Sequence, residues 1–246
     1  MALFNTRPAG VTKRIYVDCE TTSTDNKRGG MIQWTGIVTL DKVVTDKIDL
    51  HIKPFPDDLI EDGALEANHL TREDLFAEHR LDPLDAHKKL LDFCGKHVDK
   101  YTKTDKFFWI GYNAKFDLDF TWEWFRKCGD IYCGSWFWAP PLCVMVLAGY
   151  LLQRNRAKLP DFKLRTLWEY LHPQRIKEFD EKQWHDALFD IERTIEVEEA
   201  LRGVLHTHRE PQWKPQVLKR LNELRVLLPP GEDRDGLDHL IASVSR

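Results

Sequence analysis

The sequence lacks any apolar run long enough to cross a bilayer. Its longest, Leu142 to Leu152, is interrupted by Gly149 and reads as a buried helix. The first ten residues carry no apolar core of the kind that marks a secretory signal. Cysteine is sparse. Cys19, Cys94, Cys128, Cys133 and Cys143 are odd in number and irregular in spacing, which argues against a disulfide framework. The last three also lack the paired CxxC spacing of a zinc site. Reduced, mostly buried thiols in a cytoplasmic, intracellular compartment are expected. Excess positive charge is missing too: 36 Lys and Arg against 40 Asp and Glu leave a formal net charge of −4. A broad basic face that coats a polyanion is thereby disfavoured, and any such contact should be local and short. There is no internal repeat and no low-complexity segment. What is present is a composition of 42% hydrophobic residues and 31% charged residues spread along the chain, which suits a folded globular protein with an ample core.

The hydrophobic pattern orders the elements. Arg14 to Cys19 is rich in β-formers and ends at acidic residues; Thr22 to Gly30 is a polar turn; Met31 to Leu40 is a second strand. Lys42 to Lys53 is a third, with Ile48, Leu50 and Ile52 alternating against polar neighbours, and short links make the three an antiparallel meander. Thr71 to Asp74 looks like a capping box with Asp in the final place, and Pro83 to Val98 has helical periodicity. Lys106 to Gly111 is a short, continuously apolar central strand. Asn113 is placed to cap the helix that follows, which runs to about Cys128 before Gly129. Tyr132 to Trp138 is assigned as a fifth strand. Helices are expected at Leu142 to Leu152, Leu164 to Leu171, about Asp186 to Leu205 and Val217 to Leu228, with a short helix or frayed tail over Asp235 to Arg246. The whole is an α/β fold, a mixed five-stranded sheet with helices on its faces. Residues 1–210 form one domain and 211–246 a C-terminal helical extension.

Three separated pieces carry the chemistry: Asp18-Cys19-Glu20-Thr21-Thr22, Asn113 to Asp117, and His185 to Asp190. Asp18 and Glu20 are two apart on a strand, so both carboxylates share a face. Two anions held together at the end of an apolar strand repel unless cations bridge them, and oxygen-preferring Mg²⁺ or Mn²⁺ would do so. A solvated strand edge would explain the pair on its own. Asp117 falls in the first turn of a helix, where the dipole favours a carboxylate; Asp119 on another face competes for the same role. On one continuous helix His185 and Asp190 would point about 140° apart. With Asp186 as the N-cap, His185 lies on the preceding loop and is free to fold over the site while Asp190 reaches in, and a histidine titrating near neutrality suits a general base.

In this order, the three pieces resemble the motifs of the DEDDh family of 3′–5′ exonucleases, which includes the proofreading subunit of bacterial DNA polymerase III, RNase T and oligoribonuclease. Leu65 to Thr71 is similar to the family's loop before a short helix, and Lys163 to Leu167 to the helix ahead of its histidine. The resemblance spans about Arg14 to Arg202. It departs at Cys143-Val144, where many members begin a helix with Asp-Thr, and at Tyr112, where a His often precedes the Asn. The resemblance implies a ribonuclease H-like fold. It implies that Asp18, Glu20, Asp117 and Asp190 surround two divalent metal ions, Mg²⁺ or Mn²⁺, with His185 as base, and that a nucleoside 5′-monophosphate leaves a 3′ end. Thr21, Thr22 and Leu70 would lie near the terminal nucleotide and Asn113 would shape the pocket. The expected substrate is a single-stranded or frayed DNA 3′ end, with RNA ends as the alternative. A polymerase or another replication or repair subunit is the expected protein partner, and an inactive nucleic-acid-binding module is the non-enzyme alternative. Arg154, Arg156, Lys158, Lys163 and Arg165 either track a nucleic-acid backbone or form a solvated face.

Overall fold

The computed structural model describes residues 11–178, 184, 186–207, 213–228 and 231–245. Strand β1 (Lys13–Thr21) lies at the centre of a five-stranded sheet of order β3-β2-β1-β4-β5. It pairs antiparallel with β2 (Met31–Leu40), which pairs antiparallel with β3 (Val43–His51). On its other side it pairs parallel with β4 (Phe107–Gly111), which pairs parallel with β5 (Phe137–Cys143). The meander and the central apolar strand therefore stand where the alternation of the sequence puts them, and the mixed sheet is the expected one.

Alternation on β1 splits its side chains between two faces. Ile15, Val17 and Cys19 enter the main core with Trp34, Trp109, Leu118, Phe120, Trp124 and Phe137. Helix α3 (Ala114–Lys127) covers that face. The short α1 (Asp62–Ala67) and α2 (Pro83–Gly95) precede it; α4 (Val144–Leu151) and α5 (Leu164–Leu171) follow. Helix α6 (Ala187–Thr207) approaches the opposite face, where the buried Tyr16 hydroxyl meets Glu198 Oε2 at 3.2 Å. The chain divides into two compact units, 1–199 and 200–246. In the second, α7 (Trp213–Leu227) and α8 (Glu232–Ser245) pack together, with Arg225 bonded to Asp238. Pro215 sits in the first turn of α7, where its missing N–H costs nothing.

Several local expectations are corrected. The fifth strand is not Tyr132 to Trp138 but Phe137–Cys143, preceded by a 3-10 turn at Cys133–Ser135. Pro140 and Pro141 disguise it, and they are tolerated because β5 is an edge strand with one side free of ladder bonds. The Leu142 to Leu152 segment is not a fully buried helix. Val144, Ala148 and Leu152 face inward at helical spacing, whereas Val146 and Tyr150 are exposed. Asn113 occupies the N-cap position of α3 but makes no side-chain cap bond; its backbone is left-handed, with φ 57°. Helix α1 was not foreseen. The Thr71–Asp74 bonds form, Thr71 N and Oγ1 donating to Asp74 Oδ2 at 2.8 and 2.7 Å and Asp74 N donating back to Thr71 Oγ1 at 3.2 Å, but the short helix expected there is only a three-residue 3-10 turn, Asp74–Phe76. On α3, Trp124 is buried and Trp122, two residues before it, is exposed.

Candidate active site

The site grows from the last residues of β1. With Cys19 turned into the core, Asp18 and Glu20 face the other way, as a period of two demands. Beside them β4 ends at Gly111, where a Cβ would stand 3.0 Å from Val17 O and 3.2 Å from Ala114 Cβ. A side chain here would press these neighbours apart by a few tenths of an ångström, so glycine eases the close approach of α3 to β1. Left-handed Asn113 then turns the chain directly into the helix, and asparagine bears that conformation better than most residues.

Asp117, in the first turn of α3, is buried, and its Oδ1 accepts a hydrogen bond from Cys19 N at 3.0 Å. That bond ties its carboxylate to the backbone between Asp18 and Glu20, whereas Asp119 is paired with Lys115 on the exposed side of the helix. Asp190 arrives from α6. Asp186 caps this helix, its Oδ1 accepting from Phe189 N at 2.9 Å, and Asp190 N donates to Asp186 O at 2.9 Å. Asp190, Thr194 and Glu198 follow at intervals of four, so one polar stripe of α6 faces the sheet. His185 lies outside the described residues.

The electrostatics record this convergence. Burial pushes the Asp18 carboxyl well above its usual range, and Asp117, Glu20, Asp190 and Asp186 push it further. Glu20 is raised to about 8 by burial, with Asp190, Asp117 and Asp186 adding to it. Burial also raises Asp117 to about 8, against the bonds from Cys19 N and its own backbone. Asp186 is thus a further acidic neighbour that the sequence reading used only as a helix cap. The Cys19 thiol is pushed up by burial and by Asp117 and Asp18, so it stays protonated and is no nucleophile. Among the described residues, no group of three or more His, Cys, Asp or Glu side chains is placed to hold a metal ion. The arrangement is a set of neighbouring carboxylates from β1, α3 and α6 with too much like charge for its burial. An all-oxygen donor set of this kind fits hard divalent cations.

A stability effect follows from the raised carboxyls. Glu20 and Asp117 hold protons in the folded state up to about pH 8, whereas unfolded they release them near pH 4. Between these values the folded chain binds more protons, so its stability falls as pH rises. In chelator, the melting temperature is expected to drop from about pH 5 to about pH 9, and Glu20→Gln should flatten the slope. Identical slopes in wild type and Glu20→Gln would count against the burial of this charge.

The other expected site residues differ in how they are held. Thr21 Oγ1 donates to Ser23 O at 2.8 Å. The buried Thr22 hydroxyl donates to Leu59 O at 2.6 Å and accepts from Gly30 N at 2.7 Å, tying the β1–β2 loop to the segment before α1. Leu70 is half-buried against Ile32, Leu65 and Leu75, and Asn113 is exposed. Thr22→Val, which keeps the volume and loses both bonds, should cost about 2 kcal/mol in a urea titration, because two inward polar groups lose their partner. A change within error would show that the loop does not depend on the hydroxyl. Arg154, Arg156, Lys158, Lys163 and Arg165 are exposed; Arg165 bonds Glu169 at 2.8 Å, and Arg156 lies 5.1 Å from the centre of the Phe162 ring.

Sheet order and acidic centre together define a class, the ribonuclease H-like α/β domain. The model of the exonuclease family RNase_T matches residues 15–197, and the chain belongs to that family. No curated protein matches it. Among solved structures, the fold is shared with exonuclease I. A structure concerned with how that enzyme achieves processivity superposes with a TM-score of 0.61 at 20% identity, over 87% of this chain and 44% of that one. The zinc-bound complex of E. coli exonuclease I with single-stranded DNA gives 0.60 at 21%, over 84% and 45%. The E. coli enzyme with a dA16 oligonucleotide gives 0.60 at 20%, over 87% and 44%. At such identities the likeness concerns the fold, and this chain spans less than half the length of those proteins.

Proposed function

We propose that this chain is a metal-dependent 3′–5′ exonuclease that removes nucleoside 5′-monophosphates from single-stranded or frayed DNA ends. The observation that carries the reading is the convergence of Asp18, Glu20 and Asp190 on the buried Asp117, from three elements, as one mutually repelling group. Those four residues would hold two divalent ions, Mg²⁺ or Mn²⁺. Bound there, the ions would activate a water and neutralise charge at the scissile phosphate and leaving oxygen. The chain's own residues do the rest. The Cys19 N–H orients the Asp117 carboxylate. The Asp186 cap and the Tyr16–Glu198 bond hold α6 so that Asp190 stays beside β1. His185 takes the proton of the attacking water. Thr21, Thr22 and Leu70 form the wall beside the terminal nucleotide, and Asn113 borders its pocket. The domain comprises residues 1–210, and 211–246 is a helical extension. No described helix is long and apolar enough to cross a membrane, and the protein is proposed to act in the cytoplasm, alone or beside a polymerase or other replication or repair subunit.

The test is a digest of matched 5′-end-labelled DNA and RNA strands with Mg²⁺, Mn²⁺ or EDTA, resolved to single nucleotides. Stepwise shortening from the 3′ end of DNA, abolished by EDTA, is expected. Shortening of RNA alone would shift the reading to an exoribonuclease. Binding without any metal-dependent product would replace it with a binding module.

A further inference from the structure

The parallel part of a mixed sheet is ordinarily covered on both faces. Among the described residues, one patch here is not. On β4, Phe107 and Trp109 enter the core beneath α3, but Phe108, on the opposite face, is 52% exposed. Register places Arg14 of β1 on one side of Phe108 and Trp138 of β5 on the other. The Phe108 and Trp138 rings stand 6.4 Å apart, and Lys106 Nζ lies 5.2 Å from the centre of the Trp138 ring while donating to Gly134 O. Arg14 and Lys106 make no ion pair among the described residues. The result is a cross-strand row of cation, aromatic, aromatic and cation on the face that also carries Asp18 and Glu20.

We propose that the row Arg14, Phe108, Trp138 and Lys106 is a stacking platform for the bases of a single-stranded nucleic acid, held apart from the carboxylates; it rests on the exonuclease reading above. An acidic peptide would answer the cations but not the flat rings. A strand of nucleotides answers both, through its phosphates and its π faces. Arg14 precedes Asp18 by four residues on β1, about 13 Å in a straight line at the usual strand rise, so the two places are at least about four stacked nucleotides apart. Tyr16, between them, is sealed by Glu198. A strand joining the two places would pass round the outside, along the edge strand and past the exposed Leu142, whose neighbour Ile110 pairs with Tyr16. Only a substrate longer than a few nucleotides reaches both places.

The experiment uses the full chain and fluorescence anisotropy in chelator, with labelled oligo-dT or oligo-U strands of about twenty nucleotides and with a trinucleotide. Phe108→Ala should weaken binding of the long strands roughly tenfold, the loss of one base stack, and leave the trinucleotide unchanged. Phe108→Tyr, which keeps a ring, should restore most of the affinity. Arg14→Glu should weaken the long strands in a salt-dependent way. Equal long-strand affinity in wild type and Phe108→Ala overturns the platform, as does an equal loss for long and short strands, which would place the effect at the carboxylates or in the fold. Hydrolysis of the trinucleotide with Mn²⁺ reports the proposed activity separately. Cleavage by both proteins with unchanged long-strand binding removes the platform and leaves the exonuclease reading standing.

Discussion

Asp18→Ala is expected to lower metal-dependent nucleotide release about a thousandfold or more, and Asp190→Ala to do the same. Charge stabilisation by bound divalent ions amounts to several kcal/mol, and each 1.36 kcal/mol is a factor of ten in rate, so removing a carboxylate that holds them forfeits at least three such factors. The fold should survive. Burial disfavours ionisation of Asp18, and Asp117, Glu20, Asp190 and Asp186 disfavour it further. Removal of Asp18 in chelator relieves desolvation and repulsion, so Asp18→Ala should melt above wild type when no metal is present and lose that advantage when Mn²⁺ is added. A lower melting point in chelator together with lost activity would mean that the variant damages the fold. Undiminished release in both variants would take the acidic centre out of the reaction.

His185→Ala carries the next largest effect. General base catalysis typically contributes about 10² to 10⁴ in rate, and the loss should fall in that range while Mn²⁺ affinity is largely retained. This combination separates the histidine from the carboxylates, whose removal should weaken ion binding as well. An unchanged rate would make His185 a bystander.

Much of this was legible before any coordinates. The strict alternation of Ile48, Leu50 and Ile52, and the run Phe107 to Ile110 between polar turns, mark strands because they bury one face or both. Asp18 and Glu20 on one side of β1 follow from period two alone. The fifth strand was misplaced because its apolar character is broken by Pro140 and Pro141, a sign of strand termination everywhere except at a sheet edge. Edge position is a property of the assembled sheet, not of a local stretch. The meeting of Asp117 with β1 was legible only through the resemblance to a family motif, not from periodicity. It depends on a backbone N–H of Cys19 bonding a side chain 98 residues away, and no periodicity encodes that. Asp186 as an acidic neighbour escaped notice because its cap role already explained it. Exposed Phe108 was hidden inside a run that reads as buried on both faces.

The central claim is that carboxylates from β1, α3 and α6 jointly hold hard divalent ions. Titration of the metal-free protein with Mn²⁺, followed by the loss of the free-ion electron paramagnetic resonance signal, tests it most directly. Two ions per chain are expected for wild type, with binding sharply weakened in Asp18→Ala. A wild-type protein that leaves Mn²⁺ free at millimolar concentration, or an Asp18→Ala variant that binds it equally well, would contradict the claim.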